Sequence, residues 1–129
     1  MKGLVFIVLM LLDSGQLYAE WEALEKQYQP TGLETLYFDP GTIHRERTRA
    51  TLWQLTDLKW NSTTRYLSFK TQKEFDCEQY RVRVLQVIEF SRQMGTGRSA
   101  SGYIESGNWQ PVEQHSGNHV LWKTACGKR

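Results

Sequence analysis

The sequence predicts an α+β domain in which a series of β-strands is followed by one short C-terminal helix. Three observations carry this reading. Residues 80–90 alternate with period two, β-forming runs bounded by turn residues recur upstream, and the residues before Gly127 switch to helical spacing. One cysteine falls in each region, Cys77 before the alternating run and Cys126 near the end of the helix.

The chain opens with "MKGLVFIVLMLLDSGQLYAEW". Lys2, an apolar run from Leu4 to Leu12 and the small Ala19 have the layout of a secretory signal peptide. The run stops at Asp13, roughly half the ~20 apolar residues that a membrane span needs. The expected cut after Ala19 leaves residues 20–129 as the mature domain, and with no cysteine at the cut no lipid anchor is expected. About 110 residues suffice for one domain with one core. No repeat or linker divides them.

In the mature chain, "WEALEKQY" (21–28) fits either a helix, with Trp21, Leu24 and Tyr28 on one face, or a first strand. "ETLYFD" (34–39) is rich in β-formers and meets a turn signal at "DPGT". "ATLWQLTDLKW" (50–60) is the next strand, with Leu52 and Gln54 on one side and Trp53 and Leu55 on the other. "NSTTR" (61–65) is a connecting turn. Its "NST" fits the glycosylation pattern, which matters only in a eukaryotic secretory route. "YLSFKTQKEF" (66–75) leads into Cys77. In the run that follows, Tyr80, Val82, Val84, Ile88 and Phe90 share one face, broken only by Gln86. "SRQMGTGRSASG" (91–102) reads as a flexible loop or hairpin tip, and "YIESGNWQPV" (103–112) as a short last strand ended by Pro111. Ser116 or Asn118 can cap the final helix, Leu121, Trp122, Ala125 and Cys126 give its spacing, and Gly127 ends it.

Export settles how the cysteines are read. Two cysteines in a small exported domain are expected to form a disulfide. Closing a loop of about 50 residues is worth roughly 4 kcal/mol in the loop-entropy account. A catalytic thiol needs a base beside it, and a metal site needs clustered ligands; neither cysteine has such neighbours in sequence. Cys77 is therefore expected to anchor the C-terminal helix.

No enzyme emerges from the remaining chemistry. His115 and His119 are four apart, but Ser116, Gly117 and Asn118 between them place the pair across a helix start, without an H-E-x-x-H pattern. His44 lies in the charged stretch "TIHRERTR". "GTGRSASG" follows a strand without opening a helix, so a dinucleotide site is not expected, and no G-x-S-x-G motif occurs. Asp39, Asp57 and Asp76 fall at strand ends, where turn formation accounts for them. No cofactor and no metal are expected. A net charge of +2 does not demand a nucleic-acid or lipid partner.

Five Trp and six Tyr, with Arg45, Arg47 and Arg49 between two strands, point to contact surfaces. Further basic residues gather around Cys77. Of these, Arg65, Lys70, Lys73, Arg81 and Arg83 form the candidate protein-binding set, since Arg with aromatic residues favours protein interfaces and positive charge steers acidic partners. The competing reading is a solvated face balanced by Glu74, Asp76, Glu78 and Glu89.

Several stretches, in this order and spacing, resemble the surface-adhesin protein E-like family of proteobacterial envelope proteins. They are "YFDPGTI" (37–43), "LWQLTD" (52–57), "SFKTQKEFDCEQYRVR" (68–83), "MGTGR" (94–98), "WQPV" (109–112) and "LWKTAC" (121–126). The resemblance implies an antiparallel sheet of about six strands, with a C-terminal helix tethered to one face by Cys77 and Cys126. It places Trp53, Trp109 and Trp122 at the family's aromatic positions and brings no catalytic residues. It also implies a non-enzymatic domain that binds host extracellular-matrix proteins and can form a homodimer. The alternative is a soluble periplasmic protein that supports the envelope or binds a small ligand between helix and sheet. Either reading makes the protein exported, to the periplasm or the cell surface.

Overall fold

The strands form a seven-stranded antiparallel sheet in the structure, a computed structural model that describes residues 20–59, 65–104 and 106–128. The expected signal peptide (1–19) and the "NST" site (61–63) lie outside the described residues. The strands are β1 (Glu22–Ala23), β2 (Glu34–Glu46), β3 (Arg49–Leu58), β4 (Ser68–Asp76), β5 (Arg81–Phe90), β6 (Ser99–Ser101) and β7 (Gln110–Pro111). Their order in space follows the chain from β1 to β6, and β7 pairs with the start of β5. The ten-residue helix α1 (Gly117–Cys126) packs across one face, against β2, β3 and β4.

Alternation along β3 sets the two faces. Ala50, Leu52 and Gln54 are buried toward the helix, as Phe75 on β4 is. They meet Leu121, Trp122 and Ala125 of α1, with Leu24, Phe38, Val82 and Val112 closing the core. The other face carries Arg49, Thr51, Trp53 and Leu55 of β3 beside Asp76, Glu74, Gln72 and Lys70 of β4.

α1 is held at three points. Ser116 Oγ accepts the His119 N–H (3.2 Å) at its start. At its end Gly127 takes a left-handed φ of 70°, which spares the strain a side chain would bring, and the Lys128 N–H reaches Lys123 O at 2.8 Å. Cys77 and Cys126 form the expected disulfide, with their Cα atoms 5.6 Å apart. Trp122 adds a fourth tie, its Nε1–H donating to Asp76 O at 2.7 Å and Gln79 O at 3.1 Å.

The structure departs from the sequence expectation in four respects. "WEALEKQY" becomes a two-residue strand and a 3-10 turn (Lys26–Tyr28), because Leu24 enters the core while Trp21 turns to the opposite face. The predicted strand end at "DPGT" is instead an irregularity within β2, which continues to Glu46. There Asp39 Oδ1 accepts the Gly41 N–H (2.9 Å) and Thr42 Oγ1 accepts the Trp53 N–H (3.0 Å), so side chains replace the ladder bonds that Pro40 disrupts. The predicted loop 91–102 carries a strand, β6, whereas the predicted strand 103–112 shrinks to Gln110–Pro111.

The fourth difference is in the alternating run. Tyr80 lies in the turn before β5 and stacks on Trp122, with ring centroids 4.5 Å apart. Gln72 pairs with Gln86 but Lys73 pairs with Val84, so Leu85 is an extra residue. This bulge reverses the alternation. Val82 and Val84 face the helix side, while Ile88 and Phe90 face the other, and the single apolar face read from the sequence is split in two.

Candidate protein-binding face

The face turned away from α1 carries a compact charged cluster where β3, β4 and β5 run side by side. Arg49 pairs across the sheet with Asp76, and Asp76 with Arg81; Glu74 pairs with Thr51 and Arg83. Register therefore alternates arginines with carboxylates across three strands. Arg81 Nε donates to Asp76 Oδ2 at 2.9 Å, and its Nη2 lies 2.9 Å from the same oxygen. Arg83 Nε donates to Glu74 Oε1 at 2.7 Å, and Arg49 Nη1 lies 3.6 Å from the same oxygen.

Trp109, just before β7, lies on this cluster. The guanidinium carbons of Arg83, Arg81 and Arg49 are 4.5, 4.6 and 4.8 Å from its ring centroid. Each contact has cation–π geometry, worth about 0.5–1 kcal/mol at a partly exposed site. The arginines remain accessible, with a third or more of each side chain exposed (40, 34 and 33% for Arg49, Arg81 and Arg83). Three guanidinium groups against two carboxylates leave one net positive charge.

Asp76 is the buried member. Its burial works to raise the carboxyl's pKa, but the Glu78 N–H, the Arg81 side chain and the Gln79 N–H together outweigh it and hold the group below its usual range. The carboxylate thus fixes both Arg81 and the turn that leads into β5.

The five predicted binding residues do not share one patch. Arg81 and Arg83 stand together in the cluster. Lys70 is farther along the same face, its Nζ over the rings of Phe90 (5.1 Å) and Trp21 (5.6 Å). Gly95, at a left-handed φ of 67°, lays its backbone against the Lys70 stem, where a Cβ would come within 2.8 Å of Lys70 Cε. The turn containing Gly95 also covers Leu55 and closes that end of the face. Arg65 lies beside Tyr66, before the Ser68 end of β4, and that end is about 26 Å of strand away from Asp76 and Arg81. Lys73 points to the opposite face, where its Nζ donates to Gln54 Oε1 and Asn118 Oδ1, both at 2.7 Å.

Two members of the cluster were outside the candidate set. Arg49 was legible as basic, but nothing local tied it to Arg81, 32 residues on. Trp109 was legible only as an aromatic position of the family, because its contact partners are set by the pairing of β7 with β5. Among the described residues no group of His, Cys, Asp and Glu could hold a metal ion, and no helix is long and apolar enough to cross a membrane.

Residues 21–127 match the surface-adhesin protein E family. Solved structures of Haemophilus influenzae protein E share the fold at low identity. A selenomethionine form superposes with a TM-score of 0.64 at 11% identity, covering 83% of this chain and 85% of that one. A second structure gives 0.60 at 10%, covering 83% and 93%. A further crystal form gives 0.59 at 13%, covering 71% and 80%. No curated protein matches the chain. With the sheet, the tethered helix and a family match over residues 21–127, the chain belongs to the surface-adhesin protein E family.

Proposed function

We propose that this protein is a non-enzymatic exported domain, displayed at the cell surface, that binds a host extracellular-matrix protein through the face bearing Trp109. The observation that supports this reading most is the partly exposed trio of Arg49, Arg81 and Arg83 stacked on one indole, on a face that α1 leaves uncovered. Arginine and tryptophan dominate interface hot spots because both bring large, oriented contact area. Ion pairs to Asp76 and Glu74 hold the guanidinium groups in place, so little side-chain freedom remains to be lost on binding. The net positive charge suits an acidic stretch on the partner.

Lys70 and Arg65 extend the same reading along β4, as outlying contacts that steer approach. Display is tested by protease treatment of intact cells beside cells with a permeabilised outer membrane. Digestion on intact cells is the expected result. Protection until permeabilisation would place the protein in the periplasm and remove matrix proteins as partners.

A further inference from the structure

On the other side of the sheet, a cleft of about 340 Å³ opens between β2–β4 and the start of α1, lined by Tyr28, Leu36, Gln54, Lys73, His115 and Asn118 among others. That volume is at the small end of the range for small-molecule sites. Its walls divide by chemistry: Tyr28, Pro30 and Leu36 are largely apolar, whereas Lys73, Gln54 and Asn118 form a polar end.

Lys73 is the unusual member. Its ammonium is buried although the side chain as a whole is half-buried, and burial lowers its pKa from 10.5 to about 8. Both of its hydrogen-bond partners, Gln54 Oε1 and Asn118 Oδ1, are neutral, and it makes no ion pair among the described residues. An ammonium has three donors, so one remains beyond these two bonds. A desolvated charge without a counter-charge is costly and is normally paired. The first turn of α1 adds to the same end of the cleft. Ser116 Oγ takes the His119 N–H, which leaves the Gly117 and Asn118 N–H groups, both on cleft-lining residues, without a partner within the helix, and the Asn118 side chain meets the Lys73 amine.

We propose that this cleft binds a small monocarboxylate, its carboxylate on Lys73 Nζ and the first-turn N–H groups of α1, its short apolar tail against Tyr28 and Leu36. One ammonium supplies one positive charge, which a single carboxylate neutralises. The inference is independent of the Trp109 face, which lies across the sheet.

The test uses the mature protein and butyrate, with butyramide as the uncharged isostere, followed by NMR at constant ionic strength. Butyrate should shift the Asn118 and Gly117 amide signals saturably, and butyramide should not. Lys73→Met should weaken butyrate binding by about tenfold or more, the loss of one charge-assisted hydrogen bond. If that variant unfolds, titration of the Lys73 amine in the unaltered protein decides, because an anion at Nζ must raise its pKa. Equal shifts with both compounds, shifts that do not saturate, or a Lys73 titration unmoved by butyrate would overturn the proposal.

Discussion

Lys73 and Asp76, three residues apart on β4, give the protein two opposite responses to pH. Burial lowers the Lys73 pKa from 10.5 to about 8. Below about pH 8 the amine is protonated in folded and unfolded chains alike, and the fold carries the whole desolvation cost. Between about pH 8 and 10.5 the unfolded chain holds a proton the folded one has released, so stability rises with pH in that window. Denaturant midpoints of the protein should therefore rise relative to those of Lys73→Met as pH goes from 8 toward about 10; parallel curves would contradict the buried amine. Asp76 works in the other direction. Its carboxyl is held below the ordinary value of 3.8, so its contribution is present above that pH and is lost as pH falls through the lower, folded value. At this scale the sequence was partly legible. Lys73, Arg81 and Arg83 all read as exposed cations, yet strand alternation puts Lys73 on one face and the two arginines on the other. The pairing that neutralises Arg81 and Arg83 could be counted as nearby acid, Glu74 and Asp76, but not assigned until register fixed it.

The helix α1 spans only ten residues and would be marginal alone. Its stability comes from Leu121, Trp122 and Ala125 in the core, from its caps, and from the sheet residues that grip its end. Arg45 is one of these, donating from Nε to Ala125 O at 2.6 Å and from Nη2 to Thr124 O at 3.2 Å, a cation on the negative end of the helix. Arg45→Ala should cost about 1–2 kcal/mol, read as a lower denaturant midpoint with faster hydrogen exchange in the last turn. Replacing both cysteines by serine should cost about 4 kcal/mol by opening a link between residues 49 apart, and the α1 amides should lose protection before those of β3. Protection lost uniformly would contradict the tether. The helix was readable because cap, spacing, terminal glycine and Cys126 all lie within a short stretch, and the disulfide because Cys77 is the one other cysteine in the chain. The bulge at Leu85 was not, although Gln86 interrupted the apolar alternation at that place. A polar residue in an apolar series can mark either a partly covered face or a shift of register, and only the partner strand distinguishes them.

At the scale of the molecule, the sheet separates two chemistries. One side holds the core, the disulfide and the Lys73 cleft; the other holds the Arg–Trp cluster and the Lys70 contacts. The strand content, the helix on one face and the family were legible from periodicity and motif order. What joins Arg49, Arg81, Arg83 and Trp109 is the contact of segments up to 60 residues apart, which no local pattern encodes. The protein-binding reading rests on that convergence, so it is tested most directly by measuring equilibrium binding of residues 20–129 to a panel of immobilised extracellular-matrix proteins, beside Trp109→Ala with its thermal midpoint checked. The account predicts that the domain binds at least one of them and that Trp109→Ala weakens this by about 30-fold, the loss of a hot-spot residue of about 2 kcal/mol, while the folded state persists. Binding to none of them, or binding unchanged by Trp109→Ala, would contradict it.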